Sequence, residues 1–378
     1  MINKNLRKLL ILFILVASVL IAIVVLGEIL EIFDDYFQNF NFSGSSEEVI
    51  TKKEPFVLES RQSETANISG KIYLSLLPLE KAKRPSSIIE QIKKTIYSSL
   101  ILKEIDIYAV DVSSMQIENF LVDVYGNRHL KFSADGGKAV FISDRANPND
   151  NIRQVYTANA DLSDIKQITF SDENAKKSSP AFSPDRKQIV FTVLGDDSGG
   201  NDKEAKFLPE NSSIYMTDLN GNERFIVNGS NPMFSPDGKF LLALKSDGLY
   251  LVGLEFNDSK NVIPLPDNAK TKYSTIMKLS MSANGNTIAW TNALASQIYI
   301  IKISSWNPFV YNLEKTITDT HAFWPVFSPD GKYLAFQEVD DNNVNPRLAI
   351  IDLKNFNPII KFNLGNYLPN AMWVTEWR

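Results

Sequence analysis

One phrase recurs down this chain: Phe182-Ser183-Pro184-Asp185, Phe234-Ser235-Pro236-Asp237-Gly238-Lys239 and Phe327-Ser328-Pro329-Asp330-Gly331-Lys332. Two looser copies, Phe132-Ser133-Ala134-Asp135-Gly136 and Met281-Ser282-Ala283-Asn284-Gly285, keep the frame, so the anchor positions 132, 182, 234, 281 and 327 stand 46 to 52 residues apart. Each copy spells a tight turn. Pro presets φ at the first central position, Asp or Asn follows, and Gly supplies the positive φ that lets the hairpin return. Turns at a period near fifty, each followed by an apolar run, are the signature of a β-propeller with one four-stranded blade per period. Asp135, Gly136, Asp185, Asp237, Gly238, Asn284, Gly285, Asp330 and Gly331 are therefore structural turn residues. Arg186 takes the place of Gly in one copy, which predicts a strained residue or a different turn there.

A second register agrees with the first. After each turn and a polar loop comes a strand of the form Ile-Tyr-x-x-Asp, clearest in Ile214-Tyr215-Met216-Thr217-Asp218. Related strands contain Ile107-Tyr108, Val155-Tyr156, Leu249-Tyr250, Ile298-Tyr299 and Leu348-Ala349-Ile350-Ile351-Asp352, six in all against five turn phrases. The missing anchor is expected near the end of the sequence, at Trp373, 46 residues after Phe327. The fold class predicted is all-β, a six-bladed propeller over residues 68–378. Its closing blade takes the innermost strand from the C-terminal segment and the outer three from the segment before Phe132, which removes open sheet edges. A capping box at Ser87-Ile88-Ile89-Glu90 predicts a helical insert near residues 86–100, with Ile88, Ile92, Ile96 and Leu100 on one face.

The segment before the propeller is of another kind. Residues 9–26 carry no charge and are nearly all Leu, Ile, Val and Phe. Eighteen helical residues span about 27 Å, close to the thickness of a bilayer's hydrocarbon core. Lys4, Arg7 and Lys8 precede the run, and Glu28, Glu31, Asp34 and Asp35 follow it. Positive flanks stay cytoplasmic, so the expectation is a single-pass anchor with its N-terminus inside and the propeller outside the cytoplasmic membrane. The run is long for the core of a cleaved signal peptide, and no small-residue cleavage site follows it. Residues 1–37 thus read as cytoplasmic tip, transmembrane helix and helical extension, and 38–67 as a polar flexible linker.

The three full Phe-Ser-Pro-Asp copies, combined with the Ile-Tyr-x-x-Asp strands, make the chain resemble the TolB-like propellers, also called the WD40-like or PD40 repeat family, from about residue 68 to 378. That resemblance implies a periplasmic partner-binding module, and related propellers gate prolyl-oligopeptidase-like peptidases. The N-terminal anchor departs from the family pattern. There is also no room for TolB's separate N-terminal α/β domain, so a role in the Tol–Pal system is not carried over.

The residue inventory speaks against catalysis. No G-x-S-x-G nucleophile elbow is present, and the chain has no cysteine and only two histidines. His129 and His321 fall at the starts of innermost strands, where isolated histidines are plain surface residues. A net charge of −5 with no basic stripe excludes nucleic acid as a partner. Acidic loops between the second and third strands of three blades supply the candidate binding face: Asp144 and Asp150, then Asp196, Asp197 and Asp202, then Asp340 and Asp341. None has the D-x-[DN]-x-[DN]-G calcium-loop pattern with its distal Glu, so no metal and no cofactor is expected. The sequence thus predicts a membrane-anchored, extracytoplasmic, non-catalytic module that binds an envelope protein or peptide. A hydrolase or lyase acting at the central channel, or a structural envelope protein, are the alternatives.

Overall fold

The computed structural model describes residues 58–61, 68–78, 105–147, 152–170, 176–194, 212–245, 247–255, 258–264, 278–292, 297–317, 321–339, 346–364 and 367–378. The anchor, the helical insert and most of the linker lie outside these residues. Among the described residues no helix is long and apolar enough to cross a membrane.

The described chain is all β. Its first strands are β1 (Leu58–Arg61), β2 (Lys71–Pro78), β3 (Asp106–Asp111) and β4 (Gln116–Leu121). Next come β5 (Asn127–Phe132), β6 (Lys138–Asn147), β7 (Ile152–Asn159) and β8 (Lys166–Gln167), then β9 (Lys176–Phe182), β10 (Gln188–Leu194), β11 (Ser213–Asp218) and β12 (Glu223–Asn228). A third meander runs through β13 (Ser230–Phe234), β14 (Phe240–Lys245), β15 (Gly248–Gly253) and β16 (Asp258–Pro264), and a fourth through β17 (Leu279–Met281), β18 (Thr287–Asn292), β19 (Gln297–Trp306) and β20 (Phe309–Ile317). The last strands are β21 (His321–Phe327), β22 (Tyr333–Val339), β23 (Pro346–Asp352), β24 (Pro358–Asn363) and β25 (Tyr367–Trp377).

These strands hydrogen-bond into five sheets rather than six, in a propeller arrangement. Three sheets have four strands, and one has five because β1, in the stretch read as linker, pairs with β24. The eight-stranded sheet consists of two antiparallel meanders, β5–β8 and β9–β12, fused by a single parallel pairing between Arg153 and Lys176.

Closure is made by β25, which lies antiparallel to β2 in the order β25-β2-β3-β4. Its register corrects the expected anchor. Phe132 pairs with Ala139, the second residue of β6, and the residue that pairs with Ile72, the second residue of β2, is Trp377 rather than Trp373. Arg378 then occupies the place that Ser133 holds in its turn. It exchanges backbone hydrogen bonds with Lys71 at 2.6 and 2.9 Å, while the Trp377 indole donates to the Ser69 carbonyl at 3.3 Å.

Burial is greatest in the second strands and falls toward the outer ones. Strands such as β10 (QIVFTVL) and β14 (FLLALK) are buried on both faces because a sheet packs against each side. The outer strands β12 and β20 are mostly exposed and read as mixed polar sequence. Apolar clusters fill the gaps between successive four-stranded meanders, for example Val140, Ile142 and Val155 of β6 and β7 against Ile189 and Phe191 of β10. Phe141 and Phe191 are fully buried, each contributing roughly 1.5–3 kcal/mol relative to an exposed side chain.

The turns behave as their residues require. Gly136, Gly238, Gly285 and Gly331 have φ between 69° and 72°, and Arg186 adopts the same conformation at 62°. The Ser of each phrase, whose role the sequence reading did not assign, ties the turn together. Ser235 Oγ donates to Asp237 Oδ1 at 2.6 Å and accepts the Phe240 N–H at 3.0 Å, while Asp237 Oδ1 accepts the Lys239 N–H at 3.1 Å. The same three bonds recur around Ser133, Ser183, Ser282 and Ser328. Successive turns also touch. The position a Cβ would occupy on Gly285 overlaps the ring of Pro236 from the preceding turn, and Arg186 ion-pairs with Asp135.

Candidate functional site: the axial cavity

The innermost strands carry a second repeated feature. His129, Ser179, Asn231 and Trp324, each three residues before its anchor, have φ of 56°, 49°, 50° and 57°. Such values are uncommon for residues other than glycine, and the strand register breaks at each of these positions. A bulge of this kind re-aims a side chain, here toward the axis. Pro180, Pro232 and Pro325 follow three of the four. Proline is tolerated because an innermost strand is a sheet edge with no ladder partner on its axial side. The sequence signal was available in Ser-Pro-x-Phe, Asn-Pro-x-Phe and Trp-Pro-x-Phe, ahead of the anchors.

These residues line a cavity of about 30 Å³ together with Lys131, Lys278, Leu279, Val374 and Thr375. Much of the wall is internally bonded. Ser179 Oγ donates to Asn231 Oδ1 at 2.8 Å, and the Asn231 N–H donates to Thr192 Oγ1 at 3.0 Å. Lys278, nine-tenths buried, donates from Nζ to the Val374 carbonyl and, at 3.1 Å, to the Thr375 carbonyl, both in the closing strand. Its ammonium stands 5.9 Å from the Trp324 ring centroid.

The electrostatics are those of crowded cations. Burial, reinforced by Arg128, Arg153, Lys278 and Lys131, holds His129 well below the usual imidazole range. Burial also lowers Lys278, with Lys131 adding repulsion and Glu376 opposing. Glu376 is raised by its burial, against the pull of Lys131 and Lys278. Behind the wall, burial lowers Arg128 strongly and Arg153 to about 10, with Asp144 as the opposing carboxylate.

Of the expected binding residues only Asp144 falls among the described residues. Asp144 is buried inside β6, where Oδ1 accepts the Gly126 N–H at 3.0 Å, because its strand continues three residues past it. Asp150, Asp196, Asp197, Asp202, Asp340 and Asp341 lie outside the described residues. His129 sits within β5 and lines the cavity instead of decorating the surface, and His321 opens β21. Among the described residues no group of three or more His, Asp or Glu side chains could hold a metal ion.

No family model and no curated protein matches this chain. Among solved structures, TolB from Acinetobacter baumannii superposes with a TM-score of 0.52 at 17% identity, over 82% of this chain and 66% of TolB. The fold is a TolB-like β-propeller. The chain spans just under two thirds of that TolB's length. A chain of a nidogen/laminin complex also superposes, with a TM-score of 0.50 at 11% identity, over 80% of this chain and 97% of the other chain.

Proposed function

We propose that this chain is a six-bladed, membrane-anchored, extracytoplasmic propeller that binds another envelope protein or peptide and has no catalysis of its own. The observation that carries the non-catalytic reading is the axial cavity. At about 30 Å³ it has room for roughly two waters, and the Lys278 ammonium and the Asn231 amide in its wall are bonded to the protein itself. Function on such a ring is grafted onto the loops around it. One fold neighbour comes from a nidogen/laminin complex, a protein–protein assembly, which supports the same use of the ring. Counting the eight-stranded sheet as two blades gives six, and six apolar clusters, one in each gap, support that count. The anchor rests on the uncharged run at 9–26 behind Lys4, Arg7 and Lys8.

Crosslinking followed by capture of the full chain from native membranes tests this reading. One partner recovered in proportion to the bait supports it, and charge reversal at Asp196, Asp197 and Asp202 is expected to weaken that capture. Recovery of the bait alone would replace it with a structural envelope role. A hydrolase or lyase reading draws on neutral His129 beside two lysines in the axial wall. Turnover of an ester or glycoside that disappears in His129→Gln would favour it.

A further inference from the structure

We propose that the axial cavity binds a small monovalent anion of halide or formate size, held between Lys131 and Lys278, with His129 and Asn231 as neighbouring polar groups. Among the described residues the polar lining consists of two lysines, a histidine, a serine, a threonine and an asparagine, with no carboxylate. Lys131 makes no ion pair within 4 Å and no hydrogen bond to any described residue, although it faces the cavity. Lys278 as an ammonium has three N–H donors, of which two go to the Val374 and Thr375 carbonyls, leaving one for an occupant.

The surrounding charges point the same way. Arg128, Lys131, Arg153 and Lys278 all act on His129, and the carboxylates coupled to this group are Asp144 and Glu376. Among the described charges acting on this group, cationic side chains outnumber carboxylates. Buried charge of one sign is costly unless it is compensated, and an anion at the axis compensates it. Volume sets the class of ligand. A space of about 30 Å³ takes one or two water-sized groups, which suits a halide or formate better than a sugar or an aromatic acid. This inference does not depend on partner binding at the loops.

Crystals of the full chain in detergent, grown with bromide in place of chloride, are expected to show an anomalous peak between the Lys131 and Lys278 ammonium groups. Calorimetry is expected to show saturable formate binding that Lys131→Met weakens by about tenfold or more, as loss of a charged hydrogen-bond donor requires. Benzoate, too large for the cavity, is expected to give no saturable heat. Absence of both the bromide peak and formate saturation would overturn the proposal. Formate binding unchanged in Lys131→Met, or benzoate binding as tight as formate, would do the same by placing the anion outside this cavity.

Discussion

Replacing Gly285 by Ala separates two contributions that the turns combine. Gly285 has φ of 72°, and a Cβ there would overlap Pro236 Cγ. Gly331 has nearly the same φ, 70°, but its Cβ would meet only Ser282 Cβ at 3.8 Å, an ordinary contact. Gly331→Ala therefore reports the left-handed backbone alone, a cost of about 1–2 kcal/mol. Gly285→Ala carries that cost and a clash with a proline ring that has no flexible end to swing away. Overpacking of this sort adds roughly 1–3 kcal/mol, for a total of about 2–5 kcal/mol. The two variants should be compared by urea denaturation of the full chain in the same detergent, followed by tryptophan fluorescence, with equal slopes as the check that the denatured states match. Equal midpoints for Gly285→Ala and Gly331→Ala would refute the claim that neighbouring turns interlock. A Gly331→Ala variant as stable as wild type would refute the backbone part.

Other outcomes follow from the same geometry. Arg186→Gly should relieve left-handed strain but lose an ion pair that is about half exposed and worth roughly 0–1 kcal/mol, so its gain in denaturation midpoint should be small and should grow in high salt, where the pair is screened. Deleting residues 369–378 removes most of β25 and should produce aggregation, visible by light scattering; a monomeric truncation with an unchanged cooperative melt would dismiss the shared closing sheet. His129 is held below its ordinary 6.5, so the unfolded chain takes up its proton first. Its contribution is therefore complete above pH 6.5 and lost as pH falls toward the folded value. Denaturation midpoints between pH 7 and 5, in buffers of bulky anions, should decline in wild type and flatten in His129→Gln; parallel declines would remove His129 as the cause.

The architecture was legible because its information is local and repeated. Ser, Pro, Asp and Gly in fixed order specify a turn whatever surrounds it, and five copies set the period. The closing sheet was foreseen in composition but not in register. Both Trp373 and Trp377 suit an anchor by chemistry, and the turn that would have distinguished them is replaced by Arg378 bonding back to Lys71. The cavity was hidden for a different reason. Its lining changes identity from blade to blade, His, Ser, Asn and Trp, and only the backbone conformation repeats. The prolines two residues before the anchors were the visible trace of that conformation. Asp144 misled because an acidic residue near a strand end reads as solvated, whereas here the strand runs on and a buried Gly126 N–H meets the carboxylate.

Pairing β25 with β2 also sets a timetable. The Thr375 hydroxyl donates to the Tyr73 carbonyl across 302 residues of chain, whereas most other pairings in the ring join strands that are adjacent in sequence. Entropy of loop closure grows as (3/2)RT ln n, so bringing these ends together from an otherwise disordered chain costs about 3 kcal/mol more than closing a ten-residue loop. Meanders that form first shorten the effective path, because each folded blade replaces some fifty flexible residues with a rigid step. The ring is therefore expected to form its hairpins first and to join its ends, through β25 on β2 and β1 on β24, last.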